Sequence, residues 1–220
     1  MESYEEKSFV QETEKRKRNY PAIIVSYLFH PLVMPVAGIF VLFNSGTSMT
    51  LVNPNIKLYI YLITFITTFC FPLLIIPFFV HFNLVRNLKM ESIEERRFPM
   101  AVTAIFFFFA YYYLNQDFIP HGYISSFLLG AFISVLLVFF ITLKWKISAH
   151  MAGIGGVLGL LFALTMLAFV DMQFYLVIAF AISGLLGYAR MAMNAHTPLQ
   201  VFAGYMLGFL AVFVSMIIGS

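Results

Sequence analysis

The feature that most constrains this chain is a series of seven long apolar segments separated by short polar connections. Each segment is close to the roughly 20 residues that a helix needs to cross about 30 Å of hydrocarbon. The segments cover residues 21–43, 58–82, 98–114, 123–143, 151–170, 174–188 and 199–218. They lack the apolar-polar alternation of barrel strands, so the expected spanning form is the helix.

The composition also indicates that the chain is surrounded by the lipid of a membrane. The chain is 61% hydrophobic, contains 27 Phe and is only 10% charged, which leaves too little polar surface for a soluble globule of 220 residues. The single cysteine, Cys70, excludes an intrachain disulfide. We predict an all-α fold, a multi-pass transmembrane bundle of six or seven spans that forms one domain over residues 20–220.

Residues 1–19 form a polar tail with acidic residues followed by the basic cluster KRKR at 15–18. The tail has no short apolar segment of the kind found in a signal peptide, so we expect it to be retained. Directly before a membrane span, such a cluster indicates a topology anchor or a contact with anionic lipid. We therefore expect membrane lipids as partners and no nucleic acid.

If each predicted segment crosses the membrane once, nearly all of the basic residues fall on one side of it. The tail and the connections at 83–97, 144–150 and 189–198 fall on one side of the membrane, which we call the basic side. That side holds twelve of the 13 Lys and Arg residues, and the opposite side holds only Lys57. By the positive-inside rule, the basic side is predicted to be cytoplasmic.

Several helix starts on the basic side carry groups that suit an anion. Ser148 is a predicted N-cap with His150 in the opening turn, and Thr197-Pro198 is a second predicted helix start with His196 directly before it. Arg190 stands six residues before His196. Because helix N-termini favour negative charge, these groups predict a phosphate site.

Three further features bear on this prediction. His30 precedes Pro31 within the first segment, which favours a hydrogen-bonded imidazole at a kink, although an ionisable group within a span is also a candidate site residue. His81 lies at the basic-side end of the second segment, within possible reach of the site. Glycines 153, 155, 156 and 159 predict close helix contact along the fifth segment.

Three ordered motifs on the basic side resemble those of the type 2 phosphatidic acid phosphatase superfamily. They are Lys89-x6-Arg96, Ser148-x-His150 and Arg190-x5-His196, against the family patterns KxxxxxxRP, PSGH and SRxxxxxHxxxD. The resemblance covers residues 89–208. The chain departs from the patterns at the proline of the first motif, the proline and glycine of the second, and the serine of the third, and it has Gln200 in place of the final aspartate.

The resemblance implies a metal-independent membrane enzyme, without cofactor, that hydrolyses a lipid phosphate or an isoprenoid or lipid diphosphate. His196 would attack phosphorus to form a phosphohistidine, and His150 would protonate the leaving oxygen. The residues that would hold the phosphate oxygens are Lys89, Arg96, Ser148 and Arg190.

Gln200 is the departure with the largest chemical consequence. An amide can fix an imidazole tautomer, but it cannot supply the negative charge that stabilises an imidazolium. Glu94 or Glu95 is the candidate replacement, although both also suit ion pairs on a solvated loop. Two alternatives therefore stay open beside the phosphatase: a relative that binds phosphorylated lipid without cleaving it, and a metal-dependent enzyme that uses Glu91, Glu94 or Glu95 with the two histidines.

Overall fold

A computed structural model describes residues 20–82, 93–116 and 122–219, without the side chains of residue 80 and residues 93–96. Within these residues the regular structure is helical, and no strand occurs. The α-helices are α1 (Tyr20–Leu28), α2 (Met34–Asn44), α3 (Pro54–Phe65), α4 (Phe71–His81), α5 (Ile93–Leu114), α6 (Tyr123–Thr142), α7 (Ala149–Leu167), α8 (Gln173–Ala192) and α9 (Pro198–Gly219).

Six helical stretches in the described part of the chain are long and apolar enough to cross a membrane. They are Pro54–Phe79, Arg97–Leu114, Tyr123–Thr142, Ala149–Leu167, Gln173–Ala192 and Pro198–Gly219. Large apolar side chains such as Leu74 and Phe174 point outward, at 69% and 73% exposure. An outer surface of this kind requires lipid. The predicted multi-pass helical bundle is confirmed.

The first predicted span is divided into two short helices. At 1.5 Å per residue, α1 and α2 are about 14 and about 17 Å long, so neither crosses the hydrocarbon alone. The division falls at His30 because a residue before proline disfavours the helical conformation. The Nδ1 atom of His30 accepts the Leu32 N–H at 3.3 Å and closes the turn. The predicted kink is therefore a complete break.

A second irregularity faces this break from the next span. A π-helical turn, Ile66–Cys70, joins α3 to α4. The hydroxyl of Thr68 in this turn is fully buried and donates to the carbonyl oxygens of Thr64, at 2.8 Å, and Leu32, at 3.3 Å. One carbonyl exposed by the broken helix thus gains a donor, which makes an interruption within the bundle tolerable.

The closest helix pair is α7 with α9, and glycines on both helices permit it. A Cβ atom on Gly155 or Gly159 would overlap the backbone of α9 at Tyr205 or Phe209. The contact predicted for these two glycines is confirmed. Small residues of this kind let membrane helices approach to backbone distance.

Glycines of α9 approach the backbone of α7 in the same way. A Cβ atom on Gly204 or Gly208 would overlap the backbone of α7 at Ser148 or Ala152. At the basic-side end of the pair, the Ser148 N–H donates to the Gln200 carbonyl oxygen at 3.3 Å. The N-termini of α7 and α9 are therefore held side by side.

Candidate active site

A cavity of about 330 Å³ lies between the α1–α2 break and helices α4 to α9. Its polar lining includes His30, His150, Arg190 and His196, from four separate parts of the chain. The remaining lining is mostly apolar and follows α5, α6 and α7 into the bundle. The cavity is therefore amphipathic, with a cationic and imidazole-rich end near the starts of α7 and α9.

The start of α7 positions His150. Ser148 has extended backbone angles and its Oγ accepts the Met151 N–H at 3.4 Å, so the predicted N-cap is confirmed. His150 falls in the first turn, and its Nε2 lies 3.2 Å from the Ser26 carbonyl oxygen. A carbonyl only accepts, so Nε2 carries the proton of this hydrogen bond. Nδ1 is then the nitrogen of His150 that remains for proton transfer in the cavity.

Arg190 lies on the last turn of α8, not in the following connection as the sequence predicted. Nothing before Asn194 stops the helix, because Ala, Arg and Met are good helix formers. Asn194 then adopts a positive φ of 52°. Its N–H bonds to Met191 O at 2.8 Å, and the Ala195 N–H bonds to Arg190 O at 3.1 Å. This is a Schellman turn, and it delivers His196 directly to the start of α9.

Arg190 and His150 meet at the same residue of α1. Arg190 Nη1 donates to the Ser26 hydroxyl at 3.3 Å, while His150 uses the Ser26 carbonyl. Ser26 is 7% exposed. One buried serine therefore ties the end of α8 to the start of α7 and fixes two of the predicted site residues relative to each other.

His196 is buried, at 7% exposure, beside a reciprocal cap on α9. Thr197 Oγ1 accepts the Gln200 N–H at 3.4 Å, and Gln200 Oε1 accepts the Thr197 N–H at 3.1 Å. This arrangement is a capping box. The predicted helix start is confirmed, and the side-chain oxygen of Gln200 serves the helix end.

Two residues at the site were not assigned to it from the sequence: His30, for which a structural role at a kink was favoured, and Ser26, which was not considered. His30 lines the cavity, and its ring meets that of His150 edge to face with centroids 5.4 Å apart. An ionisable residue within a membrane span is often functional, and this was the sequence signal for His30. Ser26 carried none, because a serine in an apolar helix commonly bonds only to its own backbone.

Three of the described residues considered for the site are off the cavity lining: Gln200, which caps α9, Ser148 and His81. Ser148 is fully buried and acts as the α7 cap. His81 is exposed, and its ring packs against Phe82 with centroids 5.2 Å apart. The second span therefore does not deliver a histidine to the site.

The first motif lies largely outside the described residues. This is the case for Lys89 and for Glu91, and for the side chains of Arg96, Glu94 and Glu95, whose backbone belongs to the first turn of α5. That helix begins at Ile93, five residues before the predicted third segment, so Pro99 lies inside it. The neighbouring Arg97 donates from Nη2 to the Leu143 carbonyl at 3.4 Å. The start of α5 thus lies beside the α6–α7 connection.

Among the described side chains of residues 20–82, 97–116 and 122–219, no three His, Cys, Asp or Glu are grouped as a metal site requires. No protein-family model matches this sequence, and no curated protein or solved structure is significantly similar to it.

Proposed function

We propose that this protein is an integral-membrane phosphatase of lipid phosphates or diphosphates, a divergent member of the type 2 phosphatidic acid phosphatase superfamily. The observation that carries the proposal is the meeting of His150, Arg190 and His196 at the polar end of one amphipathic cavity. These are the residues that the motif resemblance selects from the second and third motifs. An anionic headgroup at this end would leave its hydrocarbon in the apolar part.

In the proposed reaction, a nitrogen of His196 attacks phosphorus, and the bond from phosphorus to the leaving oxygen breaks. His150 starts as an imidazolium, which the negative charge of the bound phosphate favours, and gives its Nδ1 proton to that oxygen while its Nε2–H stays on the Ser26 carbonyl. Water then attacks the phosphohistidine, His150 takes a proton from this water, and inorganic phosphate leaves. Splitting the transfer into two displacements in this way is nucleophilic catalysis with a general acid and base.

Electrostatic stabilisation in this scheme comes from Arg190 and from the N-termini of α7 and α9. Charge spreads over the phosphoryl oxygens in the transition state, so a guanidinium and oriented N–H groups lower its energy. Ser148 contributes by capping α7, whose first turn carries His150. Lys89 and Arg96 stay predictions as further phosphate-binding residues, and Glu94 and Glu95 as carboxylates that would support His196.

The test is phosphate release by purified protein from a panel of lipid monophosphates and diphosphates. His196→Ala should abolish release, and His150→Ala should lower it most for poor leaving groups, where a general acid matters most. His81→Ala is the matched control, because His81 is exposed and off the cavity. Activity in His196→Ala equal to that of the control variant would refute the nucleophile assignment.

The capping role of Gln200 favours a second candidate, a protein that binds phosphorylated lipid without cleaving it. The residue in the position of the family's aspartate uses its side-chain oxygen on Thr197. If the protein is an enzyme whose rate is limited by the lack of a negative charge beside His196, Gln200→Asp should raise the rate of phosphate release. If neither wild type nor Gln200→Asp releases phosphate while wild type still binds a lipid phosphate, the binding function replaces catalysis.

We also propose that the site faces the cytoplasm, because the basic side carries nearly all of the Lys and Arg residues. A single cysteine at Ser3, in protein with Cys70→Ser, tests this orientation. An impermeant thiol reagent should label it only after the membrane is opened. Labelling in intact cells would reverse the orientation.

A further inference from the structure

We propose that the cavity takes a lipid phosphate with one hydrocarbon chain, whose tail runs along α6 toward the middle of the bilayer. The inference rests on the proposed function for the preference of the polar end for phosphate. Its own basis is the depth, volume and lining of the cavity.

The depth of the cavity matches one leaflet. Its lining on α6 extends from Val138 to Phe127, and that on α7 from Ala149 to Val157. At 1.5 Å per residue these stretches are about 16 and about 12 Å long. Half of the hydrocarbon core of a bilayer is about 15 Å thick. A tail beside this stretch would therefore be about as long as one leaflet is thick. Its end near Phe127 lies about 22 Å from the basic-side end of α6 at Thr142, so the tail passes the middle of the hydrocarbon.

The volume matches a single chain. If a methylene group occupies about the 30 Å³ of a water molecule, 330 Å³ holds about eleven groups. The phosphate itself takes the volume of about two such groups, so about nine methylene groups remain. With carbon-carbon bonds of about 1.5 Å, a zigzag chain of about nine groups is about 11 Å long and fits within the cavity. Two tails of that length would need about twice the volume.

Charge and polarity set the direction of the ligand. The described lining contains the guanidinium of Arg190 and three imidazoles but no carboxylate. Deeper in the bundle the walls are made by side chains such as Ala131, Val135 and Phe107. A ligand with one anionic end and one apolar end has a single favourable orientation in such a cavity.

The walls should select chain length by exclusion. A tail that leaves a bilayer or a micelle gains little from another apolar environment, because lipid is as apolar as the cavity. A bulky side chain in the tail path instead creates overpacking, which weakens binding about tenfold or more. Val135 is one helical turn, about 6 Å, nearer the polar end than Ala131, so the two positions should act at tail lengths about four carbons apart.

The experiment measures binding of butyl, octyl, dodecyl and hexadecyl phosphate by calorimetry, with phosphate release followed in parallel. Ala131→Phe should weaken the binding of dodecyl phosphate by about tenfold and leave the binding of octyl phosphate unchanged. Val135→Phe should weaken the binding of both and leave that of butyl phosphate unchanged. Leu137→Phe is the matched control, since Leu137 is on the same helix and 42% exposed. Retained binding of the short ligands shows that a variant is folded. Octanoyl lysophosphatidic acid, whose chain and glycerol fit the volume of the cavity, should bind at least tenfold more tightly than dioctanoyl phosphatidic acid.

The outcomes separate this inference from the proposed function. If the two variants shorten the longest alkyl phosphate that binds well, as expected, but no ligand releases phosphate, the result would support the single-chain cavity and contradict hydrolysis. Phosphate release from one-chain and two-chain lipids alike, with length limits unchanged in both variants, would support hydrolysis and overturn the single-chain inference. Equal binding of the two octanoyl lipids would also overturn it.

Discussion

The imidazole rings of His30 and His150 meet edge to face, with their centroids 5.4 Å apart. The contact joins a break between two short helices to the first turn of α7. His30 is itself held by its bond from the Leu32 N–H. Because His150 lies between this ring and the Ser26 carbonyl, its orientation is constrained on two sides.

The first prediction concerns His30 as a positioning residue. His30→Ala should lower phosphate release by up to about 100-fold, because a misplacement of about 1 Å at a catalytic group can cost that much. His30→Phe keeps an aromatic ring against His150 and should recover most of the rate. Steady-state kinetics of the two variants measures the difference. Full activity in His30→Ala, or no recovery in His30→Phe, would contradict positioning through ring contact.

The second prediction concerns Ser26 as a positioning residue for Arg190. Ser26→Ala removes the hydroxyl that accepts from Arg190 but keeps the carbonyl that holds His150. A hydrogen bond to a charged group contributes about 1.5–3 kcal/mol, and in the proposed scheme Arg190 stabilises the transition state, so kcat/KM should fall about tenfold or more. Ser183→Ala is the control, since Ser183 is buried on the same helix as Arg190 and bonds to its own backbone at Ala179. Equal kcat/KM in Ser26→Ala and in the control would show that Ser26 does not act through Arg190.

The spans could be predicted from the sequence because long apolar runs have one solution in a bilayer. Six of the seven predicted segments agree with observed spans to within four residues at both ends. The sixth was ended too early, at Tyr188 where the apolar run stops, although Arg190 and its helix-forming neighbours continue α8 to Ala192. The first segment was wrong as a single span, because one His-Pro step outweighed its apolar character.

The common location of His150, Arg190 and His196 could be anticipated from sidedness alone. Helices that alternate direction bring every second connection to the same surface, whatever their packing. The contribution of α1 could not be anticipated, because it depends on where a short helix docks. The role of Ser26 is a consequence of that docking, and no local pattern in the sequence encodes it.

The third prediction tests Gln200 as a cap. Gln200→Ala removes the acceptor of the Thr197 N–H and should lower the stability by about 1 kcal/mol. Gln200→Glu keeps an oxygen in the capping box and should be as stable as wild type or more so, since a negative charge suits a helix N-terminus. Thermal unfolding in detergent measures both. Equal melting temperatures for Gln200→Ala and wild type would mean that the capping box does not stabilise α9.

The last prediction concerns the backbone contact between α7 and α9, on which the relative position of His150 and His196 depends. A Cβ atom at Gly208 would overlap the Ala152 backbone, so Gly208→Ala should force the helices apart and destabilise the protein by about 1–3 kcal/mol. Gly184→Ala is the matched control, because nothing lies within 4 Å of a Cβ atom at that position of α8. There the better helix propensity of alanine, about 1 kcal/mol, should leave stability unchanged or raised. Phosphate release should fall in Gly208→Ala even below its melting temperature, because His150 lies on α7 while His196 directly precedes α9. If both variants melt and react alike, the glycine contact does not set the geometry of the site.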